Sequence, residues 1–297
     1  MKNKKFIEGI LPAIFSVYDK DLNVIRGTVD KLVNYQLQGG VKGFYVGGNT
    51  GECTVLPAKT RKQMLESVLE ANAGRGKVIA HVGAGHFDEV MDLLQHANDC
   101  GVDAIASLPP SLQAYYEADE IVEYYKILAE KSKVPVYAYV TGVLNCDLVT
   151  FAQQMAEIDN IVGLKISISN YYAMERVVRF CGDKLNILNG PDETLTSGLI
   201  VGADGAIGTT YNMLPKLSIA IYDAVENGDI TKARQLQNKL NDVIDVALSA
   251  NIAYWKAIMT CMGFDMGYTV QPQRLVSPTE LKDLEKKLQG IGFFDLL

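Results

Sequence analysis

Eight short apolar runs, each rich in β-formers, recur along the chain with amphipathic stretches between them, and this alternation limits the fold more than any other feature. The runs begin at Gly9 (Gly-Ile-Leu-Pro-Ala-Ile-Phe), Gly43 (Gly-Phe-Tyr-Val-Gly-Gly), Lys77 (Lys-Val-Ile-Ala-His-Val-Gly) and Ala104 (Ala-Ile-Ala-Ser-Leu). Four more begin at Val134, Ile161, Asn186 and Gly205. They are continuous rather than alternating, as suits strands buried on both faces of a parallel sheet. Helical patterns lie between them over 60–73, 87–100, 118–131 and 147–158; in the first, Met64, Leu65, Val68 and Leu69 share a face. Eight strands, each followed by a helix, give an α/β chain with the count of a closed (β/α)8 TIM barrel. Order alone also permits an open doubly wound sheet.

The chain continues beyond the eighth run with helical patterns over 214–226, 230–250, 252–262 and 278–289. That exceeds the one helix that finishes a barrel. The expected organisation is a barrel over residues 1–225 and a helical extension packed on it over residues 226–297. No linker, shorter repeat or low-complexity segment interrupts it.

Composition narrows the function. With 48% apolar and 21% charged residues the chain has ample core and is not disordered. A net charge of -7 with no basic stripe argues against nucleic acid and anionic membranes as partners. Cys53, Cys100, Cys146, Cys181 and Cys261 are odd in number and make no CxxC pair, which points to reduced thiols in the cytoplasm. No apolar run reaches a membrane span, and Glu8 interrupts what would be a signal segment after the basic first five residues. His81, His86 and His96 lack the spacing of a zinc site, so no metal is expected.

In a barrel the chemistry sits at the C-terminal ends of the strands. Lys165 lies inside the sixth run, Ile-Val-Gly-Leu-Lys-Ile-Ser, where its ammonium faces the interior or the mouth. Desolvation lowers a lysine's pKa and frees the amine as a nucleophile; the bland alternative is a lysine paired with a carboxylate. Gly47-Gly48-Asn49-Thr50-Gly51-Glu52 ends the second run and suits an anion cradle, or simply a strand-to-helix turn. It lacks the Gly-Lys-Ser/Thr of a nucleotide loop. Tyr137 and Tyr139 share one side of the fifth strand, from which a proton can be passed to or from the neighbourhood of Lys165; the bland alternative is core or rim packing. Asp192-Glu193 after Gly190-Pro191 suits either a grip on substrate hydroxyls or a helix cap. His86 and Trp255 are read as structural.

These segments, in this order and over nearly the whole chain, resemble the pyruvate-dependent class I aldolases, the family of N-acetylneuraminate lyase and dihydrodipicolinate synthase. The resemblance is carried by Gly9-Ile-Leu-Pro-Ala, Gly43 through Glu52, Ile79-Ala-His-Val-Gly83, Gly163-Leu-Lys-Ile-Ser167 and Gly202 through Asn212. It implies a barrel with a C-terminal helical extension, a homotetramer, and no cofactor beyond a covalent Schiff base on Lys165. It also implies that Asn49 and Thr50 hold the substrate carboxylate and that Tyr139, with Tyr137 in reserve, transfers the proton. Gly190, Asp192, Glu193, Ser167 and Thr209 match positions that contact a hydroxylated tail in the sialic acid lyases. Dihydrodipicolinate synthases carry an arginine after the strand-five tyrosine, whereas here the chain reads Tyr139-Val-Thr-Gly-Val-Leu. Pro109-Pro110-Ser111-Leu112-Gln113 replaces the family's Pro-Phe-Tyr-Tyr, and Tyr115 or Tyr116 is left to supply the tyrosine given to a neighbouring subunit. The activity implied is reversible cleavage of N-acetylneuraminate to N-acetylmannosamine and pyruvate. The alternatives are an aldolase for another 2-keto acid and a non-catalytic binding barrel.

Overall fold

The computed structural model describes residues 5–110, 116–142, 144, 146–247 and 251–297. The eight runs form β1 (Gly9–Pro12), β2 (Gly43–Val46), β3 (Lys77–His81), β4 (Ala104–Ser107), β5 (Val136–Val140), β6 (Ile161–Ile166), β7 (Asn186–Asn189) and β8 (Gly205–Gly208). Each pairs in parallel with its neighbours in the order β1-β8-β7-β6-β5-β4-β3-β2. The remaining seam is closed by the Lys42 N–H donating to Ile10 O (3.1 Å) and the Ile14 N–H donating to Tyr45 O (2.9 Å), beside a parallel bridge of Ala13 with Tyr45. The sheet therefore closes on itself, and the doubly wound alternative falls away. β5 starts at Val136 rather than Val134, because Pro135 has no N–H to give to a ladder.

The helices are α1 (Arg26–Gln38), α2 (Ala58–Asn72), α3 (Phe87–Cys100), α4 (Ala118–Lys131), α5 (Leu148–Met155), α6 (Tyr171–Cys181), α7 (Leu195–Ile200) and α8 (Pro215–Glu226). The extension adds α9 (Ile230–Val246), α10 (Ile252–Cys261) and α11 (Pro278–Gly290). Local chemistry sets several ends. Asp147 stands outside α5 as its cap, its carboxylate accepting the N–H groups of Val149 and Thr150. Ser277 and Glu280 form a reciprocal capping box on α11, with Pro278 at the first helical position. The expected end of the ninth helix, at 250, lies outside the described residues.

Two apolar layers hold the barrel. Leu11, Ile79, Ala106, Leu188 and Ile207 fill the interior. Phe44, Val46, Val78, Ile105, Leu164 and Ile187 face the surrounding helices. That outer layer runs on without a break into Leu240, Val243, Ile258, Met259, Leu284 and Phe293 of the extension. Strand side chains alternate faces, so inward residues of β5 and β6 are stacked in levels along the axis. The lower end is plugged by Ile7, whose N–H donates to Asn186 Oδ1 and whose carbonyl accepts from Asn186 Nδ2. The upper end, at the C-termini of the strands, is where a barrel carries its chemistry.

Candidate active site

Lys165 stands at that upper level. It pairs in register with Tyr139 on β5 and Leu188 on β7, and is 5% exposed. Its Nζ lies 4.1 Å from the ring centroid of Tyr139 and 4.6 Å from that of Tyr45. Among the described residues no carboxylate lies within 4.0 Å of Nζ. The paired-lysine alternative is thus not what the fold builds. Two aromatic faces hold the amine instead, by an attraction weaker than an ion pair.

The two tyrosines of β5 separate by level. Tyr139 has its ring edge-to-face with Tyr45 and His81 beside Lys165. Tyr137 lies one level lower, and its hydroxyl donates to Asn186 Oδ1 at 2.6 Å among the plugging residues. Burial raises the Tyr137 pKa well above the ordinary phenol range.

In the turn after β2 most carbonyls are bound, whereas four successive amides are unengaged among the described residues. Gly47 O accepts from the His81 ring at 3.1 Å, Gly48 O from the Cys53 N–H, Asn49 O from the Glu52 N–H, and Gly51 O from the Ser16 hydroxyl. Among the described residues the N–H groups of Gly48, Asn49, Thr50 and Gly51 donate to no protein acceptor. Successive unengaged amides in a turn make an anion-binding concavity. Thr50, 8% exposed, hydrogen-bonds the Thr209 hydroxyl at 2.7 Å, so the turn after β2 meets the end of β8. Asn49 is exposed, and its Oδ1 accepts from the Cys53 thiol at 3.3 Å.

Glu52 closes the turn in the left-handed region, at φ 61°. That conformation costs about 1–2 kcal/mol for a residue with a Cβ. A buried pair holds it there. Lys256 Nζ of α10 lies 2.7 Å from Glu52 Oε1, both side chains 3% exposed, and Tyr18 donates to Oε2 at 2.5 Å. Lys256 also donates to Tyr268 O at 2.8 Å. The extension therefore reaches through to the turn and fixes its shape.

His81 ties three strand ends together. One ring nitrogen, Nδ1, meets Gly47 O, and Nε2 accepts the Leu108 N–H at 3.1 Å. Burial, then the charges of Arg61 and Lys165, hold its pKa well below the ordinary histidine value. The ring is neutral, with its proton assigned to Nδ1 by these partners. Tyr45, His81 and Arg61 were not singled out from the sequence as site residues.

On the opposite rim, Ser167 is half-buried and stands against Gly190. A Cβ on Gly190 would lie 1.7 Å from Ser167 Oγ, so only glycine admits this approach. Asp192, 8% exposed, accepts the Thr210 N–H at 2.6 Å and the Thr210 hydroxyl at 2.7 Å through Oδ2. It caps the turn after β8 rather than its own helix. Glu193 is exposed. Tyr116 is 38% exposed and lines an apolar cavity of about 390 Å³ with Phe87, Tyr124 and Ile127; Tyr115 lies outside the described residues. Among the described residues no group of three or more His, Cys, Asp or Glu side chains is placed to hold a metal ion, and no helix is long and apolar enough to cross a membrane.

Asp192 carries a pH prediction. Burial raises its pKa from 3.8 to about 6, against the hydrogen bonds from Thr210. Its folded pKa exceeds its unfolded one, so the folded state binds more protons between pH 4 and 6. Stability from this group is therefore present at acid pH and lost as pH rises through about 6, by on the order of 3 kcal/mol. Asp192→Asn is expected to remove that slope in urea unfolding measured from pH 4 to 8. An unchanged slope in the folded variant rejects the assignment.

Comparison with known proteins agrees with the barrel fold. Residues 6–291 match the model of the dihydrodipicolinate synthetase family. The chain is similar to the N-acetylneuraminate lyase of Rhizobium meliloti, 33% identical over 96% of this chain and 95% of that protein. It is also similar to the N-acetylneuraminate lyase of Mediterraneibacter gnavus, 31% identical over 98% of this chain and 94% of the other. A solved catalytic-lysine mutant of the Ruminococcus gnavus sialic acid aldolase superposes with a TM-score of 0.89, at 29% identity and 100% coverage of both chains.

Proposed function

The chain belongs to the dihydrodipicolinate synthetase family and is a carbon–carbon lyase, and from that premise we propose that it cleaves N-acetylneuraminate reversibly to N-acetylmannosamine and pyruvate through a Schiff base on Lys165. The observation that carries the reading is the buried amine, without a carboxylate partner among the described residues, set between Tyr45 and Tyr139 in the same mouth as the unengaged amides of the turn.

The substrate carboxylate sits on the Gly48–Gly51 amides and the Thr50 hydroxyl, with Asn49 at the rim. That fixes the keto carbon over Lys165 Nζ. The free amine adds to this carbon, and loss of water leaves an iminium. Tyr139 takes the proton from the hydroxyl on the carbon beyond the neighbouring methylene. The carbon–carbon bond breaks, its electron pair moves into the enamine and neutralises the iminium nitrogen, and the aldehyde leaves. Tyr139 returns that proton to the enamine carbon, and addition of water to the resulting iminium releases pyruvate and restores the amine. Asp192, Glu193, Ser167 and Thr209, with the Gly190 backbone, read the hydroxylated tail, where unmet buried polar groups penalise a wrong substrate. No step calls for a metal or organic cofactor, and the working assembly in this reading is a homotetramer in the cytoplasm.

The test is borohydride trapping followed by peptide mapping, with pyruvate and with N-acetylneuraminate as separate carbonyl donors. We expect the same adduct on Lys165 from both, because the sugar acid is cleaved to enzyme-bound pyruvate. An adduct from pyruvate alone gives the site to another 2-keto acid. No adduct from either leaves a binding barrel without turnover.

A further inference from the structure

Behind the turn lies a buried cation that the reaction does not use directly. Arg61 of α2 is 3% exposed. Its Nη2 donates to His81 O at 2.9 Å and more weakly to Gly47 O at 3.5 Å, and its Nη1 reaches Cys53 O at 3.4 Å. Its Nε has no hydrogen-bond partner among the described residues. No carboxylate lies within 4.0 Å of it there either. Taking a guanidinium out of water without an anion costs several kcal/mol. Three long or ordinary contacts to carbonyls offset part of that, and a neutral amide of similar reach would serve them at less cost. Glu89 acts on this charge at longer range without forming an ion pair, which leaves the guanidinium available to an anion at the turn.

The carbonyls that Arg61 holds, Gly47 and Cys53, bracket the four amides that donate to no protein acceptor. Its guanidinium packs against the back of the turn, 4.0 Å from where a Cβ on Gly47 would sit. We propose that Arg61 is a positioning residue for the 2-keto acid: a fixed buried cation behind the turn that sets the amides toward the mouth and supplies the positive potential that holds the substrate carboxylate. This rests on the turn being the carboxylate site of a Lys165 Schiff-base enzyme. Arginine suits the task because it stays charged when buried and its planar fork spans carbonyls on two elements. It does not touch the substrate; its field reaches the carboxylate through the low-dielectric turn.

A pair of ligands separates this role from a structural staple. Pyruvate and pyruvamide share the keto carbon and differ in the carboxylate charge. Borohydride trapping on Lys165 is titrated with each, in the wild-type chain, Arg61→Gln and Arg61→Lys, with thermal unfolding alongside. In Arg61→Gln the half-saturating pyruvate concentration is expected to rise about tenfold, with the pyruvamide curve within about twofold of wild type. Arg61→Lys keeps the preference for pyruvate within about threefold. Equal shifts of both curves, or no shift in either, overturn the proposal. Where Arg61→Gln does not fold, Arg61→Lys decides: a folded Arg61→Lys that loses the preference also overturns it. Failure of the wild-type chain to form any Lys165 adduct with pyruvate is a separate result, and rejects the Schiff-base reading instead.

Discussion

Lys165→Arg is expected to lower turnover by about 10⁴-fold or more and to abolish the borohydride adduct, with little loss of stability. Arginine keeps the charge and most of the length, and a guanidinium stacks on aromatic faces at least as well as an ammonium. The contacts with Tyr45 and Tyr139, at 4.6 and 4.1 Å in the native chain, therefore have a substitute. What arginine lacks is a nitrogen that sheds its proton and attacks a carbonyl. The variant thus separates the nucleophile from the cation. The measurement is pyruvate release from N-acetylneuraminate beside the thermal midpoint and intact mass after reduction. Turnover above about one per cent of wild type in a folded variant sinks the Schiff base, because the barrel contains no second buried amine facing the mouth among the described residues: Lys256, also buried, is bound to Glu52.

Much of the framework was legible because it rests on short-range periodicity. The strand starts at Gly9, Gly43, Lys77, Ala104, Ile161, Asn186 and Gly205 fall where the apolar runs begin, and α3 and α4 keep the bounds the pattern gives. Closure was legible from the family resemblance but not from the periodicity. It depends on two hydrogen bonds and a bridge at the β1–β2 seam, between segments whose sequences say nothing about curvature. The site was legible in part for the same reason. Lys165 stood out because a charge inside a continuous apolar run must face the interior. Arg61 carries a comparable signal: Arg61, Met64, Leu65 and Val68 follow the helical spacing of one face, and all four are buried. Glu52 with Lys256 gave no signal, since an ion pair between a turn and a distant helix leaves no local pattern. The sequence suggests a grip on hydroxyls or a helix cap for Asp192 but gives no sign of the partner its Oδ2 finds, Thr210 in the loop after β8. Contacts between the ends of different strands are the part of a barrel that one sequence encodes least directly.

Period two places Tyr137 and Tyr139 on the same side of β5 but cannot say which level each occupies, and a paired substitution turns that difference into opposite outcomes. Tyr139→Phe is expected to lower kcat about 10²- to 10⁴-fold, the range for loss of a positioned acid–base group. The Lys165 adduct with pyruvate persists, because iminium formation needs the amine and the carboxylate cradle, whereas bond cleavage needs the proton acceptor. Tyr137→Phe is expected to leave kcat within about threefold and to cost roughly 1 kcal/mol of stability, the net value of one buried hydrogen bond. The cost stays small because Asn186 Oδ1 still accepts the Ile7 N–H at 2.9 Å. Burial also raises the Tyr137 pKa above the ordinary phenol range, which disfavours its ionised form. Steady-state cleavage of N-acetylneuraminate, trapping with pyruvate and chemical unfolding on the two folded variants distinguish the roles. A Tyr137→Phe chain that traps pyruvate but fails to cleave, beside a Tyr139→Phe chain near wild-type turnover, reverses the assignment and moves the proton path to the lower level of the barrel.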